Sequence, residues 1–138
     1  MSPVRKTSHV TYDVNYHFVF VPKYRRKLLK EGVRGELRSL LYKVAKEYGW
    51  WIEELEIMED HVHILLSAPP KYSPAQIMQT AKSITAKRMF AQFPELTEEL
   101  WAGEFWADGY FVSTVGDDVT KEVIRKYIQH QRQQKFQL

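Results

Sequence analysis

His61-Val62-His63-Ile64-Leu65-Leu66-Ser67-Ala68-Pro69-Pro70-Lys71-Tyr72-Ser73-Pro74-Ala75-Gln76 carries the plan of this chain in one stretch. It opens with two alternating sets of side chains. His61, His63 and Leu65 share one face, and Val62, Ile64 and Leu66 share the other, the period-two pattern of a strand from His61 to Ala68. Pro69-Pro70 stops the strand, because proline has no N–H for a ladder. Ser73-Pro74-Ala75-Gln76 then starts a helix, with serine at the cap, proline at the first helical position and glutamine three residues on.

Working outward, Glu59-Asp60 is a tight-turn candidate, and Trp50 to Met58 reads as a strand in which Leu55 and Ile57 alternate with Glu54 and Glu56. Before it, Val33, Leu37, Leu40, Leu41, Val44 and Tyr48 recur at helical spacing from about Lys30, and Gly49 sits where a C-terminal cap belongs. Val10 to Val21 reads as the first strand. Pro22 ends it, and Lys23-Tyr24-Arg25-Arg26-Lys27 follows as a basic connection. On the other side, the helix begun at Ser73 runs to about Gln92. Ile77, Ala81 and Ile84 form its apolar face, Lys82, Lys87 and Arg88 line its other sides, and Pro94 lies beyond. Tyr110 to Val115 reads as a fourth strand, Gly116 breaks it, and Asp117-Asp118 starts a last helix over about 118–134. The order β-α-β-β-α-β predicts an α+β, ferredoxin-like antiparallel sheet with helices on one face, plus an appended C-terminal helix. Many functions use that plan, so the fold alone selects none.

The 138 residues are 44% apolar and 27% charged, which predicts one ordinary folded domain over 1–138 and excludes disorder. No apolar run is long enough to cross a membrane, and Met1 to Val10 has no signal-peptide design. The absence of cysteine excludes disulfides, zinc ribbons and thiol nucleophiles, and makes the cytoplasm the expected location. The net charge of +3 hides an uneven distribution. Residues 1–50 hold 11 basic and 4 acidic side chains, residues 51–110 hold 4 and 10, and residues 111–138 hold 5 and 3. Basic ends on a small domain point to a polyanion such as nucleic acid, against the plainer reading of solvated faces.

Two imidazoles two apart on a strand point the same way, which suits adjacent ligands on one metal; they also arise by coincidence on an exposed strand. In the last helix, Tyr127 and Gln131 are four apart and share a face with Val123, among Lys121, Arg125 and Lys126. A tyrosine there is either a reactive group or a ring packed on a core with its hydroxyl in water. His130, three from Tyr127, is a rival ligand on a neighbouring face.

Asp60-His61-Val62-His63-Ile64-Leu65-Leu66 resembles the His-hydrophobic-His motif of the HUH single-strand endonucleases, and Tyr127-Ile128-Gln129-His130-Gln131 resembles the Tyr-x-x-x-Gln of one branch. That branch comprises the small single-tyrosine transposases of bacterial and archaeal insertion sequences. Lys23-Tyr24-Arg25 and the stretch from Trp101 to Gly116 are similar to the same family, so the likeness covers nearly the whole chain in order. The resemblance implies a divalent cation, Mg²⁺ or Mn²⁺, on His61, His63 and Gln131. It implies Tyr127 as the nucleophile that forms a 5′-phosphotyrosyl link and frees a 3′-hydroxyl. Imidazole ligands suit Mn²⁺ better than Mg²⁺. It implies single-stranded DNA with hairpin ends as the partner, and a homodimer in which the tyrosine helix of one chain completes the histidine pair of the other. Gly116 is then the hinge, since glycine permits backbone angles that others avoid. An open sheet edge gives such a dimer a place to pair. From the charge map, Lys23, Arg25, Arg26, Lys82 and Arg88 are candidate contacts to the DNA backbone. The alternatives are a domesticated, non-catalytic hairpin-binding relative, and a hydrolytic nuclease built on the two histidines, which would form no covalent adduct.

Overall fold

The computed structural model describes residues 4–114 and 126–130. A short hairpin, β1 (Arg5–Lys6) with β2 (Thr11–Tyr12), precedes β3 (Asn15–Phe20). The single strand expected over Val10 to Val21 is therefore two pieces, interrupted at Asp13 and Val14; the Asn15 side-chain amide donates to the Asp13 carboxylate across the break (2.7 Å). Then come α1 (Glu31–Tyr48), β4 (Trp51–Met58), β5 (His61–Ser67), α2 (Pro74–Gln92), a short α3 (Glu95–Glu99) and β6 (Phe111–Thr114). The sheet order β4-β5-β3-β6, with every pairing antiparallel, is the ferredoxin-like arrangement.

Local chemistry accounts for the elements. Gly49 ends α1 in the left-handed region (φ 76°), its N–H reaching back to the carbonyls of Ala45 and Lys46. At α2 the capping box is complete: the Ser73 Oγ accepts from the Gln76 N–H (3.1 Å), and the Gln76 Oε1 accepts from the Ser73 N–H (2.8 Å). Ser73→Ala removes one acceptor from an exposed helix start and should cost about 1 kcal/mol, read as a lower thermal midpoint with unchanged far-ultraviolet dichroism at 20 °C; an unchanged midpoint would contradict it. α3 was not expected from the sequence. Pro94 closes the preceding pattern but also caps the next short turn.

Alternation along the strands sorts the two faces of the sheet. Phe18, Phe20, Val62, Ile64, Leu66, Leu55 and Ile57 point to one side and pack against Leu37, Leu41 and Val44 of α1 and Ile77, Met78 and Ala81 of α2. Ile84, expected on the apolar stripe of α2, only flanks this core; Thr85 and Met89 are buried instead. The opposite face carries a smaller cluster of Val19, Val21 and Ile128, with Phe111, Ala107 and Tyr127 against it. Residues 126–130 are helical and lie on this second face. The rest of the expected helix over 118–134, the hinge candidate Gly116 and the ligand candidate Gln131 lie outside the described residues.

Candidate active site

His61 and His63 lie on the second face, as the alternation of β5 requires. They begin the strand directly after the two-residue Glu59-Asp60 turn, where Met58 pairs with His61 and Glu56 with His63. Asp60 organises this end. Its Oδ1 lies 2.9 Å from Nδ1 of His61, and its Oδ2 lies 3.1 Å from Nε of Arg25. The carboxylate thus holds the His61 Nδ1–H and leaves Nε2 as the donor nitrogen, while Arg25 fixes the carboxylate.

His63 has a neighbour that the sequence did not single out. His17, opposite Leu65 in the register of β3 and β5, stacks on His63 with ring centroids 5.2 Å apart, and its Nδ1 is 3.0 Å from Nε2 of His63. Burial lowers the pKa of both imidazoles, and for His63 the neighbouring His17 adds to the effect against the opposing carboxylates Glu56 and Glu54. Burial thus favours the neutral form of both rings, the form in which an imidazole ligates a metal. The signal for His17 was its alternation with Phe18 and Phe20, but only the strand register brings it to His63.

Tyr127 sits above the same face. Its ring is 6.1 Å from that of Phe111, which pairs with Val19, itself the register partner of His63. Its hydroxyl is buried with no hydrogen-bond partner among the described residues. Burial pushes its pKa up to about 12. The folded state holds this proton more tightly than an unfolded chain with the ordinary value of 10. The stability this contributes is fully present below pH 10 and is lost as the pH rises toward about 12. Urea midpoints at pH 9 and pH 11 should therefore diverge more for the wild type than for Tyr127→Phe; equal divergence would contradict it.

The donor types fit a divalent cation: two imidazoles on one strand face, one oriented by a carboxylate, the other kept neutral. Ligation of His63 through Nε2 would replace its bond to His17. Among the described residues no group of three or more His, Cys, Asp or Glu side chains could hold a metal, and the ligand candidate Gln131 lies outside them.

The basic candidates divide. Arg25 is mostly buried and spent on Asp60. The Lys82 ammonium donates to the carbonyls of Ala107 and Gly109 (both 2.8 Å), tying α2 to the segment before β6, and burial lowers its pKa. Arg26 is partly exposed, loosely paired with Glu99 at 3.8 Å. Lys23 lies over the Tyr24 ring, and Arg88 borders a groove of about 520 Å³ between α1 and α2 with Lys43 and Lys46. Among the described residues no helix is long and apolar enough to cross a membrane.

Comparison with known proteins agrees with this architecture. The family described as "Transposase IS200 like" matches residues 10–131. The ISDra2 transposase TnpA of Deinococcus radiodurans is 35% identical over 128 residues, which cover 93% of this chain and 91% of that protein. The transposase for insertion sequence element IS200 of Salmonella typhimurium is 36% identical over 131 residues, covering 95% and 85%. A crystal structure of a Deinococcus radiodurans transposase has a TM-score of 0.84 at 34% identity, over 92% of this chain and 97% of that one. A REP-associated tyrosine transposase bound to a REP hairpin shares the fold, with a TM-score of 0.53 at 16% identity over 93% and 68%. The chain belongs to the IS200-like transposase family, and so to the enzymes that cleave DNA and transfer its strands.

Proposed function

We propose that this transposase cuts and rejoins single-stranded DNA at insertion-sequence ends, with Tyr127 as the nucleophile and His61, His63 and Gln131 as ligands of a divalent cation, Mg²⁺ or Mn²⁺. The observation that carries the reading is the shared sheet face: Tyr127, the histidine pair and His17 all lie on the side opposite the main core. A bound divalent cation supplies charge stabilisation at the scissile phosphate oxygens. The protein's own groups do the rest. Asp60 and Arg25 hold the His61 ring, so its donor nitrogen is oriented before substrate arrives. The Tyr127 oxygen attacks the phosphorus, its proton leaves to a base, and the 3′-oxygen of the neighbouring nucleotide departs and takes up a proton. The product is a 5′-phosphotyrosyl link and a free 3′-hydroxyl. The phosphodiester energy stays in the link, so another 3′-hydroxyl can reverse the step and join strands without ATP.

A phenol held neutral by burial is a poor nucleophile. Its hydroxyl, without a partner among the described residues, supports a resting arrangement in which Tyr127 becomes reactive only after the helix is repositioned or completed by a second chain. This favours the homodimer with shared sites, with Gly116 as the pivot, within a single domain over 1–138. The neighbour bound to a REP hairpin supports hairpin ends as the DNA feature recognised. The test uses single strands labelled at the 5′ or the 3′ end, carrying a subterminal hairpin, with Mn²⁺ and the full chain. Expected is cleavage with the 3′ fragment bound to protein, lost in excess chelator and poor on a perfect duplex. Equal cleavage of plain duplex, or cleavage without an adduct, would overturn the reading in favour of a hydrolytic nuclease.

A further inference from the structure

Lys23 and Tyr24, beside the turn at Arg25, and Trp101 lie in two stretches with family resemblance and have no part in the chemistry above. The fold brings them together. The rings of Tyr24 and Trp101 are 5.1 Å apart at 60°, and the Arg26 guanidinium lies 5.6 Å from the Trp101 ring centroid. The Lys23 ammonium lies 5.6 Å from the Tyr24 ring. Trp101 is 67% exposed, far more than an indole of ordinary packing value. Both halves of the corner are held in backbone that side-chain-bearing residues rarely adopt: φ is 60° at Tyr24, 50° at Arg25, 53° at Trp101 and 57° at Ala102. Four such residues at one spot mark a surface whose shape is fixed at a cost in energy. The same turn sends Arg25 inward to Asp60 and thus to His61, so the corner adjoins the histidine end of the sheet.

We propose that Trp101, with Tyr24 beside it, is a stacking platform for one unpaired base of the DNA strand, and that Lys23 and Arg26 hold the phosphates that flank it. This rests on the single-strand reading of the function. The chemistry is that of single-strand recognition in general: an open aromatic face takes any base, and adjacent cations follow the backbone. The occupant is anionic because the groups bordering the rings are cations, and the carboxylate paired there among the described residues, Glu99, meets Arg26 only at 3.8 Å in a partly exposed contact that a phosphate can displace. It is unpaired because a base inside a duplex has both faces covered. Held on the Arg25 turn, such a base would fix the strand's register against the site at His61.

The test measures binding of fluorescein-labelled dT12 and of a 12-base-pair duplex at the same salt, for the wild type, Trp101→Ala and Trp101→Phe. Trp101→Ala should weaken dT12 binding by roughly tenfold, the loss of about one stacked base, and leave duplex binding within about twofold. Trp101→Phe should retain most of the affinity, which separates stacking from any structural effect of losing the indole. A dT12 carrying one 5-iodouracil should photocrosslink to Trp101 or Tyr24 in the wild type. Wild-type binding of duplex and dT12 with equal affinity would overturn the single-strand reading and the platform with it. A wild type that prefers dT12, with Trp101→Ala equally selective and no crosslink at either ring, would overturn the platform alone.

Discussion

His61→Ala and His63→Ala should each reduce single-strand cleavage on the order of 10³-fold or more while leaving hairpin binding intact. Each removes one nitrogen of the proposed pair of metal ligands, and the lost charge stabilisation acts at the transition state. Binding survives because the cationic candidates, Lys23, Arg26 and Arg88, come from other elements. Asp60→Asn is the graded companion. It keeps the shape but removes the charge that anchors both the His61 Nδ1–H and Arg25, and should cost about 10- to 100-fold, recovered in part by raising the metal concentration. Full activity of His61→Ala in excess chelator would remove the metal from the account. Gln131→Ala should be milder, since water can replace a neutral amide.

Tyr127→Phe should eliminate the covalent adduct altogether and yet leave the fold at least as stable. The Tyr127 hydroxyl is buried without a partner among the described residues, so deleting the oxygen removes a desolvated polar group and keeps the ring on Phe111 and Val19. The expected change in stability is zero to about +1 kcal/mol. A rise in thermal midpoint together with loss of adduct is the signature of a residue kept for chemistry at the expense of packing. A large destabilisation would instead make Tyr127 a core residue, the plainer reading of its sequence.

What the sequence made legible was local. The alternation from His61 to Leu66 put both histidines on one face, and Ser73-Pro74-Ala75-Gln76 marked the start of α2, because strand alternation and capping depend only on neighbours a few residues apart. What it left hidden depends on register and long-range contact. His17 meets His63 only because β3 pairs with β5 at that offset, 46 residues away in sequence. Tyr24 meets Trp101 only because the fold brings two turns distant in sequence together. Lys82 reads as a surface charge on α2, yet the two carbonyls that hold it lie in a segment with neither helical nor strand periodicity. The bulge between Ile52 and Glu54, which frees Glu53 to meet Arg5, has no signal in the alternation of Glu and apolar residues.

The central claim, that Tyr127 itself becomes joined to the DNA from the face it shares with His61 and His63, is tested most directly by identifying the adducted residue. Incubation of the full chain with Mn²⁺ and a hairpin-bearing single strand, followed by nuclease and protease digestion and mass spectrometry, should find a peptide spanning residues 126–132 carrying a 5′-linked nucleotide on Tyr127. The adduct should be absent without metal. A nucleotide on another tyrosine, or efficient cleavage with no nucleotide on any peptide, would contradict the account.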